Sequence, residues 1–318
     1  MERLTALLQR LDAEPLYHAS RGSKELFHSD MLAWFVTTDP QNAIEVFRPW
    51  LVKADGTAAL RVRREYRKLD LVLEFPGFAP LVIENKAFAL PDEAQLAGYS
   101  RGPIAKLDPR SSLVLLSLSN PGWSAYEAEG RQWRWVSYDE LGARLASIPV
   151  AADFRSQVVR HEADLLRRLH EIIREVEVRD GEESFALETT VQAHLDEVGL
   201  GDAVGKSRAH QVMARVGNAL EVAGVPSPGR PLEIGFTNKR PLLAGFWQVT
   251  EVMWVGWQLQ GGQWRLAMIL TSPHLKGVGR HPDRAAVALD HEQWFDFTAL
   301  TSILASRRRR SGPGRTPH

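Results

Sequence analysis

The sequence predicts an α/β protein with a mixed central sheet flanked by helices, and three observations point to that class. Apolar residues recur at helical spacing over residues 1–52, the period changes to two over residues 60–87, and helical spacing returns from residue 154 to about residue 222. With 318 residues, the chain is long enough for two units or for one elaborated unit. We therefore expect a large buried core.

Composition excludes several classes of function. Lysine plus arginine and aspartate plus glutamate number 39 each, so no overall charge draws the chain to nucleic acid or to an anionic membrane. Cysteine is absent, which excludes thiol catalysis, disulfides and thiolate metal sites and leaves oxygen and imidazole ligands. Residues 1–15 are charged and amphipathic, and no apolar run is long enough for a membrane span. We expect a cytoplasmic protein without membrane contact.

The elements of the first half follow from local signals. Residues 1–52 predict helices that are punctuated by Pro40 and Pro49. Three strand-like runs follow, LRVRREY, LDLVLEF and LVIENKA, and the turn sequence PGFAP separates the last two. The stretch PDEAQLAGYS predicts a short helix with Asp92 as its N-cap and Gly102-Pro103 beyond its end. SSLVLLSLS and RQWRWVSY predict two more strands, and DELGARLASI predicts a helix.

The second half begins at a weak boundary near Pro149. A long amphipathic helix starts with FRSQVV, two more helices follow, and RPLEIGF, FWQVTEVMWVGWQLQ and QWRLAMILTS predict strands. Gly261-Gly262 is expected to form a tight hairpin turn, and a last helix is expected from about Glu292. The expected division is a core over residues 1–150, a helical and β-rich region over residues 151–306, and a basic disordered tail over residues 307–318.

The stretch RREYRKLDLVLEFPGFAPLVIENKAF carries three charges within two strands that otherwise read as buried. Side chains alternate between the faces of a strand, so Glu84 and Lys86 share one face. If the turn is centred on Gly77, Asp70 lies directly opposite Glu84, with Cβ atoms about 4.5–5.5 Å apart. Two carboxylates then face each other with an ammonium group alongside.

Facing carboxylates repel each other unless one is protonated or a divalent cation lies between them. Because only oxygen ligands are at hand, Mg²⁺ is the natural cation, and Mn²⁺ is expected to substitute. Such a cation can activate a bound water and neutralise charge on a phosphate, while Lys86 can position that water or stabilise the phosphate. The pattern therefore predicts a site for phosphodiester hydrolysis.

The same residues resemble a known family. Asp70, followed after thirteen residues by Glu84-Asn85-Lys86, resembles the D-x(n)-E-x-K signature of the PD-(D/E)XK nuclease superfamily. QLAGY resembles the Q-x-x-x-Y helix of its exonuclease-like branch, and ELFHSDMLAWFVTTDP resembles the E-x-x-H-S opening of a bacterial stand-alone subfamily. The resemblance covers about residues 20–140. Leu69 stands where the signature has proline, at a position that varies in the superfamily and binds no metal.

The resemblance implies a restriction-endonuclease-like core over residues 1–150 and a Mg²⁺-dependent nuclease activity. Asp70 and Glu84 would be metal ligands, and the backbone carbonyl of Asn85 would be a further ligand. Glu25 is the favoured acidic residue to complete the metal site, and Glu65 is its rival.

The resemblance also implies three further roles. Lys86 would be the catalytic lysine. Gln95 and Tyr99, four residues apart on one helical face, would orient that lysine or a DNA phosphate.

Simpler interpretations compete with these. An exposed, ion-paired strand face would make Asp70→Asn harmless. His28 is either a partner of Glu25 or a structural histidine. The basic run at residues 61–68 either contacts phosphates or solvates a strand edge. Five tryptophans in the last third either stack on bases or fill a core: Trp247, Trp254, Trp257, Trp264 and Trp294.

We expect hydrolysis of DNA, with RNA not excluded, in defence against foreign DNA or in DNA processing, a setting that rests on analogy. The alternative is a catalytically silent or partner-activated nucleic-acid-binding protein built on a nuclease core. The presence of Asp70, Glu84 and Lys86 favours the enzyme. A homodimer or a partner protein is compatible with the sequence, and a dimer would suit the cutting of two strands.

Overall fold

The structure is a computed structural model that describes the chain in ten stretches: residues 2–23, 25–55, 59–90, 92–149, 151–179, 186–225, 232–237, 240–251, 253–260 and 263–270. The chain divides into two compact units, one built on residues 1–224 and one on strands nearer the C-terminus. Within the described stretches, every helix is too short or too polar to cross a bilayer. Each unit is considered by itself below.

The described residues contain nine α-helices. They are α1 (Glu2–Asp12), α2 (Pro15–Ser23), α3 (Glu25–Thr38), α4 (Pro40–Phe47), α5 (Glu93–Arg101), α6 (Tyr138–Ala146), α7 (Phe154–Glu175), α8 (Thr189–Glu197) and α9 (Gly201–Val222). Several begin at a side-chain cap, because an oxygen of the preceding residue accepts a hydrogen bond from a backbone N–H of the first turn. These caps are Asp39 on α4, Asp92 on α5, Ser137 on α6 and Asp153 on α7.

The first unit contains a six-stranded mixed sheet with the strand order β1-β2-β3-β4-β6-β5. Its strands are β1 (Arg61–Tyr66), β2 (Leu69–Glu74), β3 (Leu81–Lys86), β4 (Ser112–Ser117), β5 (Ala125–Ala128) and β6 (Arg131–Ser137). Strands β1 to β3 form an antiparallel meander, whereas β3, β4 and β6 are parallel and are connected through α5 and through β5. The fold class is therefore the predicted one, an α/β core with a mixed central sheet.

The two faces of the sheet bury separate clusters. Leu71, Leu73, Leu81 and Ile83 pack with α1, α3, α6 and α7 in the larger cluster. The smaller cluster joins Val72 and Val82 with side chains of α5 and β4. Because β3 is buried on both faces and its alternate residues enter different clusters, the direction of each polar side chain at its end is fixed by the packing.

Most predicted elements of this unit are present, with two differences. Strand β5 was not predicted: it is a four-residue edge strand in which Ala125 and Glu127 are exposed, and such a short run gives little periodicity. The alternation of side chains along a strand predicts that Leu69 lies on the face of Leu71, but Leu69 packs in the smaller cluster with Val72. Leu69 directly follows two residues with left-handed backbone, Arg67 and Lys68, which turn the chain at the start of β2.

Helix α7 packs against α6 and α1, and α8 and α9 follow it within the same unit. The predicted division of the chain at residues 150 and 306 stays a prediction. The expected turn at residues 261–262, the helix from residue 292 and the tail at residues 307–318 lie outside the described residues.

The second unit contains a four-stranded sheet with the order β10-β9-β8-β7. Its strands are β7 (Glu233–Thr237), β8 (Arg240–Thr250), β9 (Met253–Gln260) and β10 (Gln263–Leu270). The stretch predicted as FWQVTEVMWVGWQLQ is therefore two antiparallel strands. Trp254 is buried against Phe246, whereas Trp264 is 62% exposed and its ring lies 5.0 Å from that of Trp257. Base stacking in this unit stays a prediction.

Candidate active site

The end of β3 and the start of β2 bring the predicted acidic residues together. Strands β2 and β3 pair Leu71 with Ile83 and Leu73 with Leu81, so the same register places Asp70 opposite Glu84. This is the register that a turn centred on Gly77 requires, and Gly77 has the positive φ of 76° that favours glycine. The two carboxyl groups are close enough for Asp70 to raise the pKa of Glu84.

Glu84 is the most constrained group of the site. It is only 1% exposed, and its Oε1 atom lies 2.9 Å from Nζ of Lys86. Its second oxygen, Oε2, accepts no hydrogen bond from the described residues. Burial is the main reason that the pKa of Glu84 is raised to about 7; the charge of Asp70 acts in the same direction, and Lys86 opposes both. One oxygen of the buried carboxylate therefore has no hydrogen bond from the described residues to offset its loss of hydration.

Asp70 is anchored to the strand that carries Glu84. Its Oδ2 atom accepts a hydrogen bond from the backbone N–H of Asn85 at 2.7 Å. This bond between side chain and backbone fixes the Asp70 carboxylate at the end of the hairpin. Asp70 remains partly accessible, whereas Glu84 is buried, so the pair forms the inner and outer sides of one small polar site.

Helix α5 lies over the face of the sheet on which these carboxylates project. Asp92 caps the helix, with Oδ1 3.1 Å from the backbone N of Gln95. The side chain of Gln95 donates from Nε2 to the hydroxyl of Tyr99 at 2.7 Å. The pKa of Tyr99 is raised to about 12, mainly by burial and further by the charges of Glu84 and Asp70. Gln95 and Tyr99 therefore share one helical face, as expected, and Tyr99 lies within electrostatic range of the carboxylates.

The side chain of Asn85 lies on the opposite face of the sheet, where both its amide nitrogen and its amide oxygen are hydrogen-bonded. Its Nδ2 donates to Oγ of Ser29 on α3 at 3.2 Å, and its Oδ1 accepts from the hydroxyl of Tyr138 at 2.8 Å. All three residues are buried. Buried polar groups with paired hydrogen bonds hold one geometry, so α3 and the start of α6 fix the backbone between Glu84 and Lys86.

One ring nitrogen of His28 is paired within the first unit, and both interpretations of this histidine stay predictions. Its Nδ1 lies 2.7 Å from Oε1 of Glu162 on α7, and both side chains are buried. The ring also contacts Tyr138 edge-on, with centroids 5.4 Å apart. The polar group that faces His28 thus comes from a helix 134 residues further along the chain. His28, Glu162 and Tyr138 extend the support of Asn85 towards α7.

Of the two candidates for the additional acidic ligand, Glu65 has a described side chain and Glu25 does not. Glu25 is the first residue of α3, but its side chain lies outside the described part of the structure. Glu65 is exposed, with a φ of 48°, and its neighbours Arg64 and Tyr66 pair with Leu71 and Leu69. Glu65 therefore lies across from Asp70 in the register. Neither assignment goes beyond a prediction.

The basic run at residues 61–68 divides into two parts. Arg63 and Arg64 form ion pairs, Arg63 with the buried Glu74 at 2.9 Å and Arg64 with Asp30 of α3. These two arginines brace the edge strand against its neighbours. Arg67 and Lys68 instead form the turn between β1 and β2, where both are exposed.

Among the described residues, no group of three or more histidine, aspartate or glutamate side chains is arranged to hold a metal ion. The two carboxylates nevertheless suit a divalent cation. A buried carboxylate oxygen without a partner and an adjacent second carboxylate are both costly without a compensating positive charge. Oxygen donors of this kind are the ligands that Mg²⁺ and Mn²⁺ prefer.

Sequence reasoning missed Ser29, Tyr138 and Glu162 as parts of this site. Ser29 stands in the E-x-x-H-S stretch that carries the resemblance, but nothing in the sequence connects it with Asn85. Glu162 gives a detectable signal, because it interrupts the apolar stripe of α7 between Val159 and Leu166. A charge on such a stripe calls for a buried partner.

The six-stranded mixed sheet with its flanking helices is a restriction-endonuclease-like fold. More specifically, residues 15–148 match the family model of the PD-(D/E)XK nuclease superfamily, so this region of the chain is similar to that superfamily. Comparisons with curated proteins and with solved structures gave no match. This match supports nuclease activity in general and a nucleic acid as the substrate.

Proposed function

We propose that this protein is a Mg²⁺-dependent nuclease that hydrolyses phosphodiester bonds of DNA. The observation that carries the proposal is the buried Glu84, which has one oxygen without a hydrogen-bond partner among the described residues, with Asp70 opposite it and Lys86 bonded to its other oxygen. Three other glutamates also each have one buried oxygen without a hydrogen-bond partner among the described residues: Glu14, Glu74 and Glu162. What distinguishes Glu84 is the second carboxylate, Asp70, that faces it. Defence against foreign DNA in the cytoplasm is the setting proposed by analogy.

In this proposal Asp70 and Glu84 hold the divalent cation, with the backbone carbonyl of Asn85 and one of Glu25 and Glu65 as further ligands. When bound, the cation supplies a lowered water pKa and positive charge opposite the phosphate. The buried position of Glu84 keeps one ligand fixed, and the bond from the Asn85 backbone N–H fixes the other at 2.7 Å. Such fixed ligands reduce the cost of reorganisation on binding.

Lys86 and Tyr99 act on the substrate side. Lys86 shares the face of Glu84, and its ammonium group can donate to the attacking water or to a phosphate oxygen. The hydroxyl of Tyr99 is protonated at neutral pH, as in an ordinary tyrosine, and burial raises its pKa further, to about 12. The hydroxyl oxygen accepts from Gln95, which leaves the O–H proton available to donate to a phosphate. Gln95 thus orients Tyr99.

The test compares cleavage of linear and circular DNA, single-stranded DNA and RNA in Mg²⁺, in Mn²⁺ and in a chelator. Asp70→Asn is expected to abolish cleavage, because it removes a proposed cation ligand with little change in volume. Glu127→Gln, an exposed carboxylate on β5 at the far edge of the sheet, serves as the matched control and is expected to cut normally. Cleavage that survives in Asp70→Asn would overturn the proposed site.

A preference for RNA over DNA in the same panel would correct the substrate, while the site would stand. If the natural chain cuts no substrate in either metal yet binds DNA, the silent or partner-activated alternative is favoured.

A further inference from the structure

A cleft of about 640 Å³ lies beside helix α5. Its lining includes Gln95, Gly98 and Tyr99 of α5, the turn residues Arg67 and Lys68, and Lys106 of the short 3-10 helix Ile104–Lys106. Three separate elements of the first unit therefore surround one open space. Two of the lining residues, Gln95 and Tyr99, also belong to the candidate active site.

The cleft is basic. Arg67, Lys68 and Lys106 line it, and the described residues of its lining include no acidic side chain. Within the described stretches, none of these three cations forms an ion pair with a carboxylate, whereas Arg63 and Arg64 of the same hairpin do. Arg67 lies over the ring of Tyr66, with its guanidinium carbon 5.2 Å from the ring centroid, a contact that leaves its charge in place. Positive charge without a neighbouring carboxylate, in a concave surface, is suited to an anionic ligand.

The turn that presents two of these cations is strained. Tyr66 pairs with Leu69, so Arg67 and Lys68 alone connect β1 to β2, with φ values of 55° and 76°. Two-residue turns with both residues at positive φ prefer Asn-Gly, because the Cβ atom of most residues crowds the backbone there, whereas glycine has none and asparagine tolerates this region. Strain of this kind at two adjacent cationic residues indicates a role for their charges.

Two of the four residues that helix α5 and its C-cap contribute to the cleft are glycines, so this side of the cleft has few side chains. Gln95, Gly98, Tyr99 and Gly102 follow the i, i+3, i+4, i+7 spacing of one helical stripe and all line the cleft. A Cβ atom added at Gly98 would meet no atom within 4 Å, so the space above it is open. A ligand can therefore approach the helix backbone between Gln95 and Tyr99.

The cleft is continuous with the carboxylate site through Tyr99. This side chain lines the cleft, accepts the hydrogen bond from Gln95 and lies within electrostatic range of Glu84 and Asp70. A chain of anions in the cleft would consequently lead towards the two carboxylates.

We propose that the cleft binds the phosphodiester backbone of the nucleic-acid strand that enters the active site, with Arg67, Lys68 and Lys106 contacting successive phosphates and Gly98 leaving room for the strand. The identity of the ligand rests on the proposed function, whereas the binding surface is assigned from the cleft itself. Contacts of this type position the substrate without reading its sequence.

The test measures binding by the full chain carrying Asp70→Asn, in a chelator, to fluorescently labelled single-stranded and duplex DNA and to RNA over a range of salt concentrations. Lys68→Gln and Lys106→Gln are each expected to weaken binding and to lower the slope of log affinity against log salt by about 1, because each removes one phosphate contact. Gly98→Glu is expected to weaken binding further by placing charge and bulk in the open space.

Matched controls lie away from the cleft. Lys53→Gln removes an exposed lysine near the β2–β3 turn, at the other end of the hairpin strands, and is expected to keep the full salt slope. Gly22→Glu on α2 also places a glutamate where a Cβ meets no atom within 4 Å, and is expected to bind normally. Cleft variants that bind with the affinity and salt slope of these controls would overturn the proposal.

Failure of the two proposals is distinguishable. If the natural chain cuts nucleic acid while the cleft variants bind as tightly as the controls, the cleft assignment fails and the nuclease stands. If nothing is cut but the cleft variants lose affinity, the cleft assignment stands without the nuclease. Absence of any binding to nucleic acid overturns the cleft assignment.

Discussion

At the end of strand β3, polar side chains lie on both faces of the sheet, and the two faces differ in the hydrogen bonds that these side chains form. On one face, Glu84 has an oxygen that accepts no hydrogen bond from the described residues, and it lies opposite Asp70. On the other face, Asn85 is bonded to Ser29 and Tyr138. The side chains of Glu84 and Lys86 therefore lie on the face where one carboxylate oxygen lacks a hydrogen bond from the described residues. The side chain of Asn85 lies on the other face, where both ends of its amide are hydrogen-bonded.

This difference indicates that one face of the strand serves the reaction and the other holds the strand in place. On the carboxylate face, a positively charged ligand would be stabilising, because burial and the charge of Asp70 both disfavour the ionised form of Glu84. On the other face, both ends of the Asn85 amide are already bonded to the protein. Tyr138 also contacts the ring of His28, which lies within hydrogen-bond distance of Glu162. A rigid support beneath a site of poorly compensated charge is the arrangement that holds ligands in place before the substrate arrives.

The largest expected effect comes from Glu84→Gln, which removes the charge from the carboxylate face. Cleavage is expected to fall below detection. In thermal unfolding, Mg²⁺ or Mn²⁺ is expected to raise the Tm of the natural chain, because a ligand that binds the folded state stabilises it. Glu84→Gln should lose that rise, whereas Glu127→Gln should keep it. A rise that persists in Glu84→Gln would show that the cation binds elsewhere.

Lys86→Ala tests the same face without removing a proposed cation ligand. Loss of one donor aimed at developing charge typically costs about 10²–10³-fold in rate, and we expect a loss of that size in single-turnover cleavage. The Tm rise with Mg²⁺ is expected to remain. The matched variant Lys53→Ala should cut at the natural rate. A Lys86→Ala variant that cuts equally fast would assign the lysine to ion pairing with Glu84 alone.

Tyr138→Phe tests the support face and is expected to have a smaller effect. It leaves Oδ1 of Asn85 without the bond from the Tyr138 hydroxyl, at a cost of about 1–3 kcal/mol in the free energy of unfolding. Cleavage is expected to fall about tenfold, because the strand that carries the ligands loses part of its support.

Tyr17→Phe is the control for that variant. The buried Tyr17 hydroxyl donates to the backbone carbonyl of Val198 at 2.6 Å, away from Asn85. Urea unfolding should show a similar loss of stability, with cleavage unchanged. Equal rates in Tyr138→Phe and Tyr17→Phe would mean that the Asn85 network serves stability only.

The carboxylate face could be predicted from the sequence because its geometry is local. One turn at Gly77 sets the β2–β3 register, and the side-chain period of two then places Asp70 opposite Glu84 and Lys86 beside it. The Gln95 and Tyr99 pair was predictable for the same reason, since helical spacing alone brings the two side chains together.

The support face could not be predicted because its contacts are distant in the chain. Ser29 lies 56 residues from Asn85, Tyr138 lies 53 residues from it, and Glu162 lies 134 residues from His28. No local period relates such positions, and only the packing of α3, α6 and α7 on the sheet brings them together. The cleft was hidden similarly, because Lys106 and the 67–68 turn come from separate elements.

The smallest expected effect comes from relaxing the β1–β2 turn. Replacing Arg67 and Lys68 with Asn and Gly supplies the residues that this turn type prefers, so the free energy of unfolding is expected to rise by about 1 kcal/mol. Affinity for nucleic acid is expected to fall, because two cations leave the cleft. Glu129→Asn changes the first position of the similar turn before Gly130, on the β5–β6 hairpin, and should leave affinity unchanged. If the Asn-Gly turn both stabilises the chain and binds nucleic acid with the natural salt dependence, the strain at residues 67–68 has no role in binding, and the basic cleft loses two of its three cations as ligands.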